Sequence, residues 1–210
     1  MKKVILAAIA VMAFGFANAQ NTKFGIKGGI QLSSLIGNIE NETPKLGLQL
    51  GGFAEFRIAK GLFIQPEILY STQGGKYETS AVDYLYKQEL NASYLIFPIM
   101  LKYYVVDKVN LEVGPQIGFL LEANGNYKTR NGAEIFYSGN GSTKDIYKTE
   151  NIGLNIGAGY DFTKNISAGI RYHFGMSNEM RYYPAHNDFE DQKQIRMRND
   201  VVSLSVGYKF

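Results

Sequence analysis

Residues Asn151–Met176 read NIGLNIGAGYDFTKNISAGIRYHFGM. Apolar side chains fall on every second position: Ile152, Leu154, Ile156, Ala158, Tyr160 and Phe162, then Ile166, Ala168, Ile170, Tyr172, Phe174 and Met176. Between the two runs stands the short polar break Thr163-Lys164-Asn165. Period-two alternation is the mark of a strand, and a break this short joins antiparallel neighbours. The other face of the two strands decides the fold. It carries Gly153, Asn155, Gly157, Gly159, Asp161, Gly169, Arg171, His173 and Gly175. Glycine weakens a strand and has no use on a water-facing surface. Small residues mixed with charges of both signs do suit the inside of a narrow barrel, where side chains barely fit. The apolar face then looks outward into lipid. A soluble eight-stranded barrel would alternate equally well but would turn its apolar face inward.

The same pattern recurs along the chain. Strands are predicted over residues 23–33, 45–58, 62–72, 91–105, 109–122, 151–162 and 166–176, with a closing strand in the last residues. Three connections are tight: AKG at Ala59–Gly61, VDK at Val106–Lys108 and TKN at Thr163–Asn165. The other four are long, at about residues 34–44, 73–90, 123–150 and 177–199. Tight turns on one side, long loops on the other and an even strand count describe an outer-membrane barrel. The expected fold is all-β: an eight-stranded antiparallel up-and-down transmembrane β-barrel. Aromatic residues near strand ends (Phe24, Tyr70, Tyr103, Tyr160, Phe162, Phe174, Tyr208, Phe210) agree with interfacial girdles. Pro66, Pro98 and Pro115 fall inside three successive strands. Proline cannot donate to a ladder, so a shared irregularity, in the form of bulges, is expected in that wall.

The N-terminus has a separate purpose. Lys2 and Lys3 precede an uncharged run from Val4 to Ala17, which closes on Ala17-Asn18-Ala19. This is the layout of a secretory signal peptide, expected over residues 1–19, leaving a single barrel domain over residues 20–210. Removing Lys2 and Lys3 lowers the formal net charge from +3 to +1, so the exported chain offers no basic nucleic-acid surface. There is no cysteine, which excludes disulfides, thiolate metal sites, cysteine catalysis and a lipid-bearing cysteine. The longest later apolar run, Leu95–Leu101, falls well short of the roughly 18 residues of a membrane-spanning helix. A spanning chain of this kind must therefore close into a barrel.

The chain ends NDVVSLSVGYKF, with Val202, Leu204, Val206, Tyr208 and Phe210 in one register. Chain ends usually fray. A terminal aromatic in register with an apolar face is expected to anchor the closing strand at the membrane interface. These five residues also resemble the signal read by the outer-membrane assembly machinery.

Five stretches resemble one family. They are YLIFPIMLKYYV (Tyr94–Val105), LEVGPQIGFLL (Leu111–Leu121), GLNIGAGYDF (Gly153–Phe162), GIRYHFGMSN (Gly169–Asn178) and SLSVGYKF (Ser203–Phe210). Together with a leader ending ANAQ, they look like the outer-membrane β-barrel family of Bacteroidota labelled porin-like or PorT-like. The resemblance covers essentially the whole exported chain. It implies the fold and a place in the bacterial outer membrane, and it brings no catalytic residues to carry over.

Candidate chemistry is sparse. Glu55, Arg57, Glu67, Lys102, Glu112, Arg171 and His173 are expected to point inward. They are read first as a paired network that fills the lumen, and second as the lining of a narrow porin-like solute channel. A third reading makes the chain a small lipid-modifying enzyme with His173 as base and Ser71 or Ser93 as nucleophile, which would need the pair within about 3 Å. Packing of His173 in the lumen is preferred to that reading, and the chain is not expected to be an enzyme. His186–Asp191 (HNDFED) gathers a histidine and three carboxylates without the spacing of a calcium loop or a second histidine, so solvated loop charge is preferred to a metal site. No cofactor is expected. Expected partners are outer-membrane lipid, the assembly machinery, and an extracellular ligand or secretion-machine component met through residues 123–150 and 177–199. Tyr, Asn, Ser and Gly in those loops suit adaptable contacts.

Overall fold

The computed structural model describes residues 22–37, 42–81, 84–131, 134–179 and 197–210. The expected leader and His186–Asp191 lie outside these residues. Nine strands are present: β1 (Thr22–Gly37), β2 (Glu42–Ala59), β3 (Leu62–Ala81), β4 (Tyr84–Val106), β5 (Val109–Asn131), β6 (Glu134–Ser142), β7 (Glu150–Asp161), β8 (Ile166–Gly175) and β9 (Met197–Lys209). Every pairing is antiparallel, and eight of the strands close a ring in which β4 meets β5 and β9 returns to β1. The ninth, β6, pairs with the far half of β5 and stands outside the ring.

The outward face is apolar as its alternation requires. Leu48, Leu50, Leu111, Ile156, Leu204 and Val206 are all more than half exposed. In water such a surface would be a liability, whereas in a bilayer it is the favourable one. The seam between β1 and β9 pairs Gly25 with Lys209 at one end and Gly37 with Met197 at the other. Phe210 belongs to it, since its amide donates to the Phe24 carbonyl at 2.8 Å. Outside the ladder, the Phe210 ring packs edge-on against Tyr208 at 5.5 Å, and Phe162 packs against Tyr160 at 5.0 Å. Both pairs lie at the end of the barrel that holds the tight turns, where aromatic rings mark the interface.

Two sequence expectations need correction. The long strands β3, β4 and β5 run well past the apolar band. Much of the stretch read as a loop over residues 123–150 is the β5–β6 hairpin. Its residues are polar, so hydrophobic periodicity gave no sign of them. The prolines also behave differently from expectation. No register shift occurs at Pro66, Pro98 or Pro115. Instead, the pairing skips two residues between Pro66↔Ile99 and Leu69↔Ile96, and again between Pro98↔Gln116 and Leu101↔Val113. Missing N–H groups open the ladder without adding a residue to it. Gly114 helps here, because a Cβ at this position would collide with the Ile99 carbonyl oxygen folded over it. The register shifts between β4 and β5 lie at the two ends of the wall, one between Tyr104 and Val106 beside the tight turn and one higher up, between Ser93 and Tyr94, where β5 carries one extra residue. Beyond it the inward face of β5 changes parity, from Leu120 to Ala123 and Gly125.

Candidate functional site: a filled lumen

The inward side chains sort into three tiers. Along β1 the order is Lys27, then Gln31 and Ser33, then Leu35; along β9 it runs the other way, Met197, Asn199, Ser203, Lys209. Charge therefore sits toward the tight turns, amides and hydroxyls in the middle, and apolar side chains toward the long loops.

Arg171 of β8 is the hub of the charged tier. Its two terminal nitrogens donate to both oxygens of Glu67 at 3.0 and 2.9 Å, and its Nε donates to Glu112 at 2.9 Å. Such a fork is the strongest geometry an arginine makes with a carboxylate. Lys27 adds a second cation to Glu67 at 3.2 Å, and Gln65 donates to the same carboxylate at 2.7 Å. Gln65 then passes the connection on, because its carbonyl accepts from Lys102 at 3.0 Å. Lys102 pairs with Glu55 at 2.9 Å, and Glu55 also receives Lys209 at 3.3 Å. Lys209 closes the set by reaching Asp161 at 3.2 Å, which in turn accepts the Tyr104 hydroxyl at 2.7 Å. Four cations thus meet four carboxylates, in a network drawn from β1, β2, β3, β4, β5, β7, β8 and β9. Buried charges persist only when paired and hydrogen-bonded in this way. The cavity within the network, lined by Lys27, Gln65, Lys102 and Glu112, measures about 30 Å³, while the open mouth on the tight-turn side, lined by Glu55, Asp161 and Lys209, measures about 500 Å³. The inner cavity has room for about two water molecules.

The middle tier is neutral. Gln31 donates to Ser71 Oγ at 2.6 Å, and Gln73 donates to the same oxygen at 2.8 Å. Asn199 donates in turn to Gln73. Asn155 donates to Gln116 at 3.2 Å, and the Asn155 carbonyl lies 3.2 Å from His173 Nδ1. His173 Nε2 has no hydrogen-bond partner among the described residues. Ser71 is occupied by two glutamines and Ser93 lies on the outward-facing row of β4, so the base and nucleophile of the enzymatic reading are not assembled.

Above this belt sits an apolar cluster of Leu35, Leu69, Leu90, Tyr94, Ile96, Leu120 and Met197, with Ala92, Ala123 and Tyr147. The sequence reading of a wholly polar lumen missed it. The available sign was the unbroken apolar run Leu95–Leu101 on β4: a strand apolar on both faces is buried on both. Here one face meets lipid and the other meets the plug.

The chain leaving β8 crosses this end. Glu179 donates its amide to the Met197 carbonyl at 2.7 Å and accepts the Lys148 amide at 2.7 Å. Its carboxylate, only 1% exposed as a residue, receives the Tyr94 hydroxyl at 3.3 Å. Burial pushes this carboxyl up from 4.5 to about 7, an effect the Tyr94 hydrogen bond only partly offsets. With the folded value above the unfolded one, the closed mouth is most stable below about pH 4.5 and loses that stability as pH rises toward 7. Amide exchange at Lys148 and Glu179, corrected for its intrinsic pH dependence, should therefore quicken across that window. Glu179→Gln should flatten the change, and an unaltered profile in that variant would exclude Glu179 as its source.

Of the residues singled out from sequence, Glu55, Glu67, Lys102, Glu112 and Arg171 lie together in the charged tier, and His173 lies above them. Arg57 does not join them. It stands exposed at the tight-turn mouth, where its Nε donates to the Ala59 carbonyl at 3.4 Å. Arg57 keeps the inward parity of Glu55, because the register shift of β2 lies beyond it, but it stands at the open mouth of the barrel, which it lines with Glu55, Asp161 and Lys209. Lys209, Lys27 and Asp161 complete the network instead. Their sign was parity: Lys209 shares the inward row of Ser203, Ser205 and Gly207. Val202, Leu204, Val206, Tyr208 and Phe210 all face outward and exposed. Among the described residues no group of three or more His, Cys, Asp or Glu is placed to hold a metal ion.

A family model described as "Outer membrane protein beta-barrel domain" matches residues 18–181. No curated protein matches the chain. Solved structures similar to it include Ail, the attachment invasion locus protein of Yersinia pestis, at 11% identity and a TM-score of 0.45, covering 91% of this chain and 100% of that one. Neisserial surface protein A is similar at 14% identity and a TM-score of 0.42, covering 89% and 97%. The outer membrane protein OprG from Pseudomonas aeruginosa is similar at 12% identity and a TM-score of 0.42, covering 90% and 96%.

Proposed function

Because this chain belongs to the outer membrane protein beta-barrel domain family, and so to the bacterial outer membrane, we propose that it is a closed barrel with a structural or surface-interaction role. The observation that carries this reading is the paired charge network, with its cavity of about 30 Å³, beneath an apolar tier. A lumen filled in this manner supports presentation of the strands and loops above the membrane rather than passage of solutes. The non-enzymatic reading is part of the same proposal, supported by the separate engagements of His173 and Ser71. Residues 123–150 and 177–199 are the proposed contact segments for an extracellular ligand or for a component of a secretion machine. The likeness to the porin-like or PorT-like barrels of Bacteroidota belongs to the proposal as well, as do export by residues 1–19 and the absence of a cofactor. Affinity capture from intact outer membranes tests the surface role. A chain shortened within the β5–β6 hairpin should lose proteins that the full chain retains, and identical captured sets would argue against contact through this hairpin.

The closing strand carries a second proposal. Val202, Leu204, Val206, Tyr208 and Phe210 form an outward row that ends on a ring, a layout suited to recognition by the assembly machinery. Deleting Phe210 removes one ladder bond, to Phe24, while all thirteen β1–β9 register pairs, from Gly25↔Lys209 to Gly37↔Met197, remain. The deletion should therefore lower the amount reaching the outer membrane severalfold while barely changing the denaturation midpoint of barrel refolded in vesicles. Normal outer-membrane levels would remove the assembly role.

A further inference from the structure

The wall formed by β3, β4, β5 and β6 continues past the lipid band, and its outward face changes character at one level. Tyr70, Leu95 and the buried Phe119 form the last row that is apolar throughout, aligned by the pairs Tyr70↔Leu95 and Leu95↔Phe119, with the exposed Leu121 standing alone just above it. The next row is Thr72, Ser93 and Glu122. Above it come Asn91, Asn124 and Ser142, and then Glu89, Asn126 and Asn140. Two adjoining clefts open on this face and share Asn91 and Asn124. The lower, about 200 Å³, includes Tyr70, Thr72 and Ser93; the upper, about 520 Å³, is lined by Asn91, Asn124, Asn126, Asn140, Gly141 and Ser142.

The chemistry of the clefts is specific. Asparagine amides carry donors and an acceptor, which match hydroxyl groups that both donate and accept. Asn126 and Asn140 stand exposed, Asn124 keeps one amide N–H beyond its bond to Glu122, and Asn91 keeps its amide N–H groups while its Oδ1 takes Lys45. Tyr70, 47% exposed, lays an aromatic ring at the lower edge. The cation of the lower cleft, Lys45, is already spent: it pairs with Glu89 at 3.2 Å, reaches the Leu90 backbone carbonyl at 3.2 Å and bonds the side-chain Oδ1 of Asn91. Glu122 accepts from Asn124 at 2.8 Å and adds a negative charge. This combination disfavours phosphate and favours a neutral polyol. Position supplies the source, because the clefts sit directly beyond the apolar band, on the long-loop side, at the depth of the outer-leaflet headgroups.

We propose that this face, from Tyr70 up to Asn126 and Asn140, binds the saccharide headgroup of an outer-leaflet glycolipid. The amides hold the sugar hydroxyls while the acyl chains lie along the apolar rows below. The site lies outside the lumen, so it stands or falls independently of whether the barrel is closed.

The test uses the full exported chain refolded in detergent micelles and three probes: fluorescent lipopolysaccharide with its core saccharide, the same lipid stripped to its acylated disaccharide anchor, and free core oligosaccharide. Wild type should bind the complete lipid about tenfold more tightly than the stripped one. The double variant Asn126→Ala/Asn140→Ala, whose side chains are exposed, should lose most of that tenfold margin, two hydrogen-bonding groups having gone. Asn124→Ala should reproduce part of the loss, and the mobility shift of unboiled protein on gels reports that each variant is folded. Equal binding of complete and stripped lipid, or unchanged binding by the folded variants, overturns the proposal. Binding of free oligosaccharide as tight as that of the complete lipid would also overturn it, by making the ligand a soluble glycan.

Discussion

Arg171→Met is expected to destabilise the barrel by about 3–5 kcal/mol, measured by urea unfolding in lipid vesicles. The guanidinium holds two carboxylates at once, Glu67 through a fork and Glu112 through Nε, and is itself 7% exposed. Methionine approximates its length but supplies no donor. Glu67 keeps Lys27 and Gln65, whereas Glu112 loses the one cation that bridges to it among the described residues. An unpaired carboxylate in so narrow a lumen pays desolvation with nothing in return. The triple change Arg171→Met/Glu67→Gln/Glu112→Gln should recover most of the loss, because neutral groups of similar volume replace a buried ion cluster at little cost. A single variant within about 1 kcal/mol of wild type would mean that the charges are solvated and the lumen is wet.

Ile156→Arg comes next in size. Ile156 lies in the middle of β7, between Val113 on β5 and Tyr172 on β8, with its side chain outward. An arginine at the bilayer midplane costs about 2–4 kcal/mol, and the cost falls to about 0–1 kcal/mol near an interface. Phe162→Arg, at the tight-turn edge of the band, is the matched comparison. Folding yield and unfolding free energy in vesicles should drop for the first and change little for the second. Equal effects at both positions would contradict the placement of the lipid band.

Legibility followed period and polarity. Ring closure, the outward apolar face and the tight turns were readable because lipid outside and crowding inside impose opposite compositions on alternate residues. The upper halves of β3, β4 and β5, and all of β6, were not, since water on the outer face removes the apolar signal. Ile96 and Met100 were hidden by their neighbours, as an apolar run has no readable period. Arg57 was placed in the network because parity tells a residue's face and not its depth: it lines the open mouth, and its Nε turns to the Ala59 carbonyl. Lys209 was readable by parity alone, and its contacts with Glu55 and Asp161 place it in the network. Proline inside a strand told of disturbance and not of its form, since a missing donor can be met by a gap as well as by a bulge.

The central claim is that paired charges and an apolar tier close the lumen. Single-channel recording of the refolded wild-type chain in planar bilayers tests it most directly. The account predicts a quiet membrane without discrete steps at moderate voltage. Stable, reproducible single-channel steps from wild-type protein would contradict it.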